Sequence, residues 1–356
     1  MIETIWRPTE RQVTAAAMTR FRLAMETRHE LKLPNYNALH EWSIDSGEQF
    51  WRALWDFFAV KGSTDSVLTA QPSRVYGEPP AMSSLGQRQQ WFSNVTLNYA
   101  ENCLQMADDD LAIVYSDEIG RQNDWCSSEL KQMVSRIQQA LVSEGVGVGD
   151  VVAGWLPNRP ETIAAALAAL SLGAIWTSCS PDFGLNAVLD RFGQTQPKVL
   201  FAIDGYHYGS KDYDCLDRLH ELSQYLPKLG RTIVLPHAKM ATQISAIDRE
   251  KNVVTYDTWL APFSPEKIEF KALAFDHPAY IMYSSGTTGI PKAIVHSAGA
   301  ILLQHLKEHQ LHCDIRKGDR VFYQTTCGWM MWNWLVSALA SKATVVLYDG
   351  SPGVPS

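Results

Sequence analysis

The sequence predicts an α/β fold, with layered parallel sheets, flanking helices and a helical N-terminal leader. Three observations carry this reading. From about residue 111 onward, short apolar runs alternate with segments of helical period, the pattern of successive βα units. Glycine breaks and helix-start signals fall between those segments. The composition, 46% hydrophobic and 19% charged over 356 residues, allows a sizeable core and excludes a disordered chain.

Within the first ninety residues, positions 49–58 carry Phe50, Trp51, Leu54, Trp55, Phe57 and Phe58, which suits an amphipathic helix packed on a core. Residues 61–84 are rich in Ser, Pro and Gly and read as a connecting segment. Residues 111–115 form a short apolar run. Leu130, Val134, Ile137 and Leu141 then follow on one helical face until Gly145, Gly147 and Gly149 break the pattern. Residues 151–156 read as a strand, and Asn158-Arg159-Pro160-Glu161 as a helix start. Residues 163–172 make a buried helix, Gly173 stops it, and 174–178 is a strand. Residues 198–203 and 232–235 are further strands, with helices over 185–192 and 213–226 among them. Strands alternating in this way with helices imply a mostly parallel sheet covered on both faces. No internal repeat or low-complexity tract is evident.

Charge and cysteine usage narrow the function classes. The formal charge is −7, so the chain lacks the bulk basic footprint of a nucleic-acid or anionic-membrane binder. Cysteines stand at 103, 126, 179, 215, 313 and 327, with no CxxC and no zinc-ribbon or disulfide spacing, which suggests a reducing cytoplasm. The first residues hold no apolar run behind a basic start, so no signal peptide is read. Residues 162–181 are uncharged for 20 residues, long enough to span a bilayer. Gly173, the alanine-rich apolar content and the Thr-Ser-Cys-Ser-Pro end favour a buried helix running into a buried strand.

The most informative segment runs from Tyr280 to Lys292. An apolar strand ends at Tyr283, and residues 284–292 then hold four Ser or Thr hydroxyls, two glycines and a lysine. Glycines let backbone N–H groups turn into one concavity that binds anions. Hydroxyls add donors and help orient magnesium, and Lys292 adds a compact positive charge. The chemistry suits a polyphosphate such as the β- and γ-phosphates of ATP. A polar surface loop is the bland alternative, and the full ordered pattern with Pro291-Lys292 after a strand outweighs it. A Walker-type loop is not met, because Gly286 and Gly289 are only three apart, Pro291 precedes the lysine and Ala293 follows it.

Tyr283 to Lys292 resembles the phosphate-loop signature of the adenylate-forming enzymes, which include acyl-CoA synthetases, luciferases and peptide-synthetase adenylation domains. Trp91-Phe92 with residues 97–102 is similar to the entry segment of the acetyl-CoA synthetase branch, and Gly149-Asp150-Val151-Val152 with Leu156-Pro157-Asn158 to that family's first βα unit. Residues 176–184 and the run Cys327-Gly328-Trp329-Met330-Met331-Trp332-Asn333-Trp334, followed by residues 347–352, are similar to the acetoacetate–CoA ligase branch.

The resemblance implies a two-step reaction. An acid carboxylate attacks the α-phosphate of Mg–ATP, giving an acyl-adenylate and pyrophosphate; the thiol of coenzyme A then displaces AMP. Positioning and charge stabilisation supply most of such catalysis. By the same resemblance, Ser284, Ser285, Gly286, Thr287, Thr288, Gly289 and Lys292 hold the β- and γ-phosphates. Trp329, Met330 and Met331 wall the acyl pocket, and Trp332 and Trp334 stiffen it. Asn333 is a candidate donor to a β-keto group, although the run also reads simply as the start of a buried helix. Lys211 falls near where the acetate branch holds coenzyme A phosphates, with a solvated lysine the plainer reading. His296 reads equally as a packed residue or a nucleotide neighbour. His305, His309 and His312 share a helical face beside Cys313 without forming HExxH, so no metal site is expected.

The expected organisation is a helical leader over 1–90 and the N-terminal part of an adenylation domain over 91–356. The family's adenine- and ribose-binding segments, hinge, small C-terminal domain and catalytic lysine are expected beyond residue 356, so no catalytic residue is assigned. The isolated chain is then expected not to complete the reaction and to expose a face that a complementing C-terminal part would cover. The remaining expectations are ATP, magnesium and coenzyme A as cofactor and co-substrates, small-molecule substrates without nucleic acid or membrane as partners, and a cytoplasmic location.

Overall fold

The computed structural model describes residues 5–64, 91–121, 123–237, 253–284 and 289–354. Its centre is a seven-stranded sheet. In spatial order the strands are Val253–Thr255, Arg231–Leu235, Val199–Ile203, Val151–Trp155, Ile175–Cys179, Pro278–Ser284 and Lys292–Ser297. All neighbours pair in parallel except the last two, which form an antiparallel hairpin. The sheet is therefore mostly parallel, as the alternation of strand and helix predicts. A second sheet holds Arg320–Phe322, Thr344–Asp349 and Leu111–Asp117 in parallel, with Gly120–Arg121 and Trp125–Cys126 added antiparallel to the last of these.

The sequence explains why the layers close. Ser127–Ser143 buries Leu130, Val134, Ile137 and Leu141, the face its spacing predicts. It packs on Pro160–Ser171, where proline at the first helical position sets φ without losing a needed N–H. That second helix is buried almost throughout, from Pro160 and Thr162 to Ser171, and Gly173 at φ +78 ends it in the left-handed region. The uncharged stretch at 162–181 is thus an interior βα element. Among the described residues no helix is long and apolar enough to cross a membrane. Strand spacing is tight at Gly154, where a Cβ would come within 2.7 Å of the Trp176 ring.

The first segment is helical: Glu10–Ala15, Ala17–His29, Tyr36–Asp45 and Gly47–Phe57. Phe21 packs edge-on against Phe50 and Phe57, and these aromatics join the same buried cluster as the sheet. Residues 65–90, most of the expected connecting segment, lie outside the described residues. One helix is corrected. The segment expected to be helical over 213–226 is helical only over Leu216–Gln224, because Tyr213 and Asp214 pair with Tyr206 and Gly205 in a hairpin. Glu118 fastens that hairpin by accepting the Gly209 and Ser210 N–H groups at 2.7 Å each. Lys211 lies exposed in its second strand.

Candidate active site

The strand Pro278–Ser284 organises the site. Alternate residues face opposite sides of a strand, so Tyr280, Met282 and Ser284 share one face and Ile281 and Tyr283 the other. Ser284 is paired in register with Lys292 across the hairpin, and the two residues bound the glycine-rich connection. Ser285, Gly286, Thr287 and Thr288 lie outside the described residues. Gly289 is exposed at φ +101, a backbone conformation that favours glycine. Lys292 is exposed, and among the described residues it has no ion pair.

The base of the connection is held from one side by the helix Leu185–Thr195. The Tyr283 hydroxyl donates to the Arg191 carbonyl at 3.2 Å and lies 3.0 Å from the Thr177 hydroxyl. Burial pushes its pKa up to about 12, so it remains a neutral donor. The Arg191 guanidinium stacks over Phe183 at 4.9 Å and over Tyr283 at 5.7 Å. Gln194 Nε2 reaches the Pro291 carbonyl at 2.9 Å. Both ends of the loop therefore rest on one helix.

The opposite face opens into a cavity of about 750 Å³. Tyr280 and Met282 line it from the strand, Val295, His296 and Ser297 from the hairpin partner, and Met330, Met331, Asn333 and Trp334 from the helix Met330–Val336. Two residues of strand, about 7 Å, separate Met282 in the cavity wall from Ser284 at the loop. Trp329 caps that helix at its N-terminus, is exposed, and is not among the lining residues. Trp332 is fully buried and donates its indole N–H to Asn158 at 3.0 Å, so it anchors the helix and does not face the cavity. Cys327 ties the preceding turn to the sheet, with Sγ 2.7 Å from the Leu156 carbonyl and its own carbonyl accepting the Ser178 hydroxyl at 2.6 Å.

The third wall comes from the helix Ala298–Leu306 and the π-helical turn Lys307–His312, which bring Ile301, Gln304, His305 and Glu308 to the cavity. Sequence reasoning singled out His305 only as part of a histidine face and missed Gln304 and Glu308. Their signal was present: the spacing 301, 304, 305, 308 draws one helical stripe, with polar residues where a purely packed helix would carry apolar ones. The Ser337 hydroxyl donates to the Trp334 carbonyl at 2.7 Å, so His305 Nδ1 donates to the Ser337 oxygen, also at 2.7 Å. These partners assign the proton to Nδ1 and leave Nε2 an acceptor. Burial, helped by His296, lowers His305 to about 4 and keeps it neutral. His309 is buried against Trp334, and burial lowers it to about 3. No cluster of three or more His, Cys, Asp or Glu able to hold a metal exists among the described residues.

Residues 100–355 match the family model described as AMP-binding enzyme. Acetoacetyl-CoA synthetase of Gallus gallus is 42% identical over 99% of this chain and 52% of its own length. Malonamoyl-CoA synthetase of Penicillium aethiopicum is 38% identical over 98% of this chain and 48% of its own length. The solved acetoacetyl-CoA synthetase from Streptomyces lividans superposes with a TM-score of 0.89 at 40% identity, covering 100% of this chain and 52% of that one. The chain thus spans about half the length of the curated relatives it matches. With a parallel sheet, a glycine-rich connection on its strand end and a family model covering most of its residues, the chain belongs to the AMP-binding enzymes.

Proposed function

We propose that this chain carries the phosphate loop and acyl wall of an acid–thiol ligase that activates acetoacetate. In the first step a carboxylate oxygen of acetoacetate attacks the α-phosphorus of Mg–ATP. The bond from α-phosphorus to the bridging oxygen breaks, and pyrophosphate leaves. In the second step the sulfur of coenzyme A, having lost its proton, attacks the acyl carbon; the bond to the AMP oxygen breaks and acetoacetyl-CoA forms. Ser284, Gly289 and Lys292, with Ser285, Gly286, Thr287 and Thr288, are the proposed holders of the β- and γ-phosphates. Met330 and Met331 are the proposed acyl wall, with Trp329 capping the helix that carries them. Magnesium enters with ATP as part of the substrate.

One observation supports this reading above the rest. The wall of a mainly apolar cavity and the residue that opens the glycine-rich connection lie on one face of one strand, Met282 in the first and Ser284 at the second. An acid seated in the cavity then has its carboxylate directed along the strand toward the phosphates, the proximity that a displacement at phosphorus requires. The names of two relatives agree on the acid's chemistry, since acetoacetate and malonamate both bear a carbonyl on the β carbon. Full turnover, as a property of the whole protein, is part of the proposal.

ATP–pyrophosphate exchange tests it, driven in turn by acetoacetate, acetate and 3-hydroxybutyrate. The chain is assayed alone and fused to the C-terminal half of the Streptomyces lividans relative. Exchange with acetoacetate in the fusion and little in the chain alone is expected. No exchange in either form, with ATP still protecting the segment around residues 284–292 from proteolysis, would instead make the chain a nucleotide-binding unit without ligase chemistry.

A further inference from the structure

Three buried polar side chains line the cavity: Tyr280, His305 and Asn333. Tyr280 packs edge-on against Tyr99 at 5.6 Å; its hydroxyl is buried without a hydrogen-bond partner among the described residues, but it carries one donor where a carboxamide carries two. His305 is committed through Nδ1 to Ser337 and offers only an acceptor. Asn333 is different. It is 4% exposed; among the described residues its buried Oδ1 has no hydrogen-bond partner and its Nδ2 donates only to the Met282 thioether at 2.8 Å. A carboxamide has two donor hydrogens and a two-lone-pair acceptor, and a thioether is among the weakest acceptors in a protein. A buried amide so poorly served is rare in native folds and calls for an explanation.

The apolar part of the cavity wall cannot distinguish a ketone from a methylene. Met282, Met330, Met331 and Ile301 offer shape without donors. Gln304 Nε2 is spent on Glu308 at 3.0 Å, and Glu308 also accepts from Lys307. Among the buried lining groups, only Asn333 has a side-chain N–H held by so weak an acceptor. Its helix is fixed from behind by Trp332 on Asn158, so the amide is presented from a rigid element.

We propose that Asn333 is a specificity-determining residue, whose carboxamide N–H leaves the Met282 sulfur and donates to the carbonyl oxygen on the β carbon of the bound acid. The inference rests on the acyl reading of the cavity given above and names the group that reads the acid. A site built to donate to a substrate oxygen rejects the analogue lacking it, because the amide is then left unserved. Butyrate, with a methylene in place of the ketone and the same number of carbons, is that analogue.

The test is equilibrium binding of acetoacetate and butyrate to the 356-residue chain by ligand-observed NMR, for the wild type, Asn333→Leu and Met282→Leu. The wild type is expected to prefer acetoacetate by at least about tenfold, the weight of one net hydrogen bond. Asn333→Leu should erase the preference by weakening acetoacetate while keeping or improving butyrate. Met282→Leu removes the competing acceptor without touching the amide, so the preference should persist or rise. A wild type that binds both acids equally, or an Asn333→Leu chain that keeps the preference, overturns the assignment. So does a Met282→Leu chain that loses the preference, since the sulfur would then be the discriminating atom. A wild type that binds neither acid overturns the acyl reading itself, and the assignment of Asn333 with it.

Discussion

Met282 and Tyr283 are neighbours on one strand, yet they face environments of opposite kind. Tyr283 looks onto the helix Leu185–Thr195, where its hydroxyl donates to a backbone carbonyl, touches Thr177 and lies beneath a stacked guanidinium. Met282 looks into the cavity, where its side chain's sole polar partner among the described residues is a carboxamide that has no better one. The first side is satisfied before any ligand arrives. The second holds flexible thioethers and an underused amide. The strand therefore separates a fixed support for the proposed phosphate loop from an adaptable surface for the proposed acid. Preorganisation matters most where charge must be held, and adaptability suits the short acyl part of a small acid.

The comparison can be broken by exchanging what each side depends on. The largest stability effect is expected on the fixed side. Tyr283→Phe keeps the ring and removes the hydroxyl, leaving the Arg191 carbonyl without this donor, and should cost about 1–2 kcal/mol in urea unfolding. The same change should also increase proteolysis near residues 284–292, since the loop base loses its tether. A smaller effect is expected from Met282→Leu, a volume-conserving change that should stay below about 1.5 kcal/mol. Equal costs for the two would erase the proposed difference between the faces.

Protonation sharpens the contrast further. Tyr283 is held near 12 and does not titrate in the working range. His305, in the cavity wall, is lowered to about 4 by burial, and His309 to about 3. Both rings stay neutral in the fold while the unfolded chain takes up protons below its ordinary value near 6.5. The unfolded state thus binds protons first, and stability should fall as pH drops from about 6.5 towards 4. Denaturant midpoints across that window check the slope, and His305→Gln should flatten it. An unchanged slope in the variant would remove His305 from this account.

Much of the scaffold was legible because its signals are local. The helix Ser127–Ser143 follows from the spacing of four apolar residues, and the end of Pro160–Ser171 from Gly173. The hairpin that takes Tyr213 out of a helix was not legible, because its strands are short and its fastening to Glu118 spans about ninety residues of chain. The site divides in the same way. The loop announces itself by composition, and Met330 and Met331 by position in the tryptophan–methionine run. The contact of Trp332 with Asn158 joins residues 174 positions apart, and no periodicity records it. The third wall lay in a helix whose polar residues could be read as facing bulk solvent until tertiary packing set the cavity beside them.

The central claim is that acid and nucleotide address neighbouring positions on one strand face, Met282 and Ser284. Hydrogen–deuterium exchange of the 356-residue chain, with acetoacetate alone and with Mg–ATP alone, tests it most directly. Acetoacetate is predicted to protect peptides covering residues 295–305 and 330–334 and to leave 284–292 unchanged, while Mg–ATP does the reverse. Protection of the same peptides by both ligands, or by acetoacetate only outside the cavity, would contradict the account.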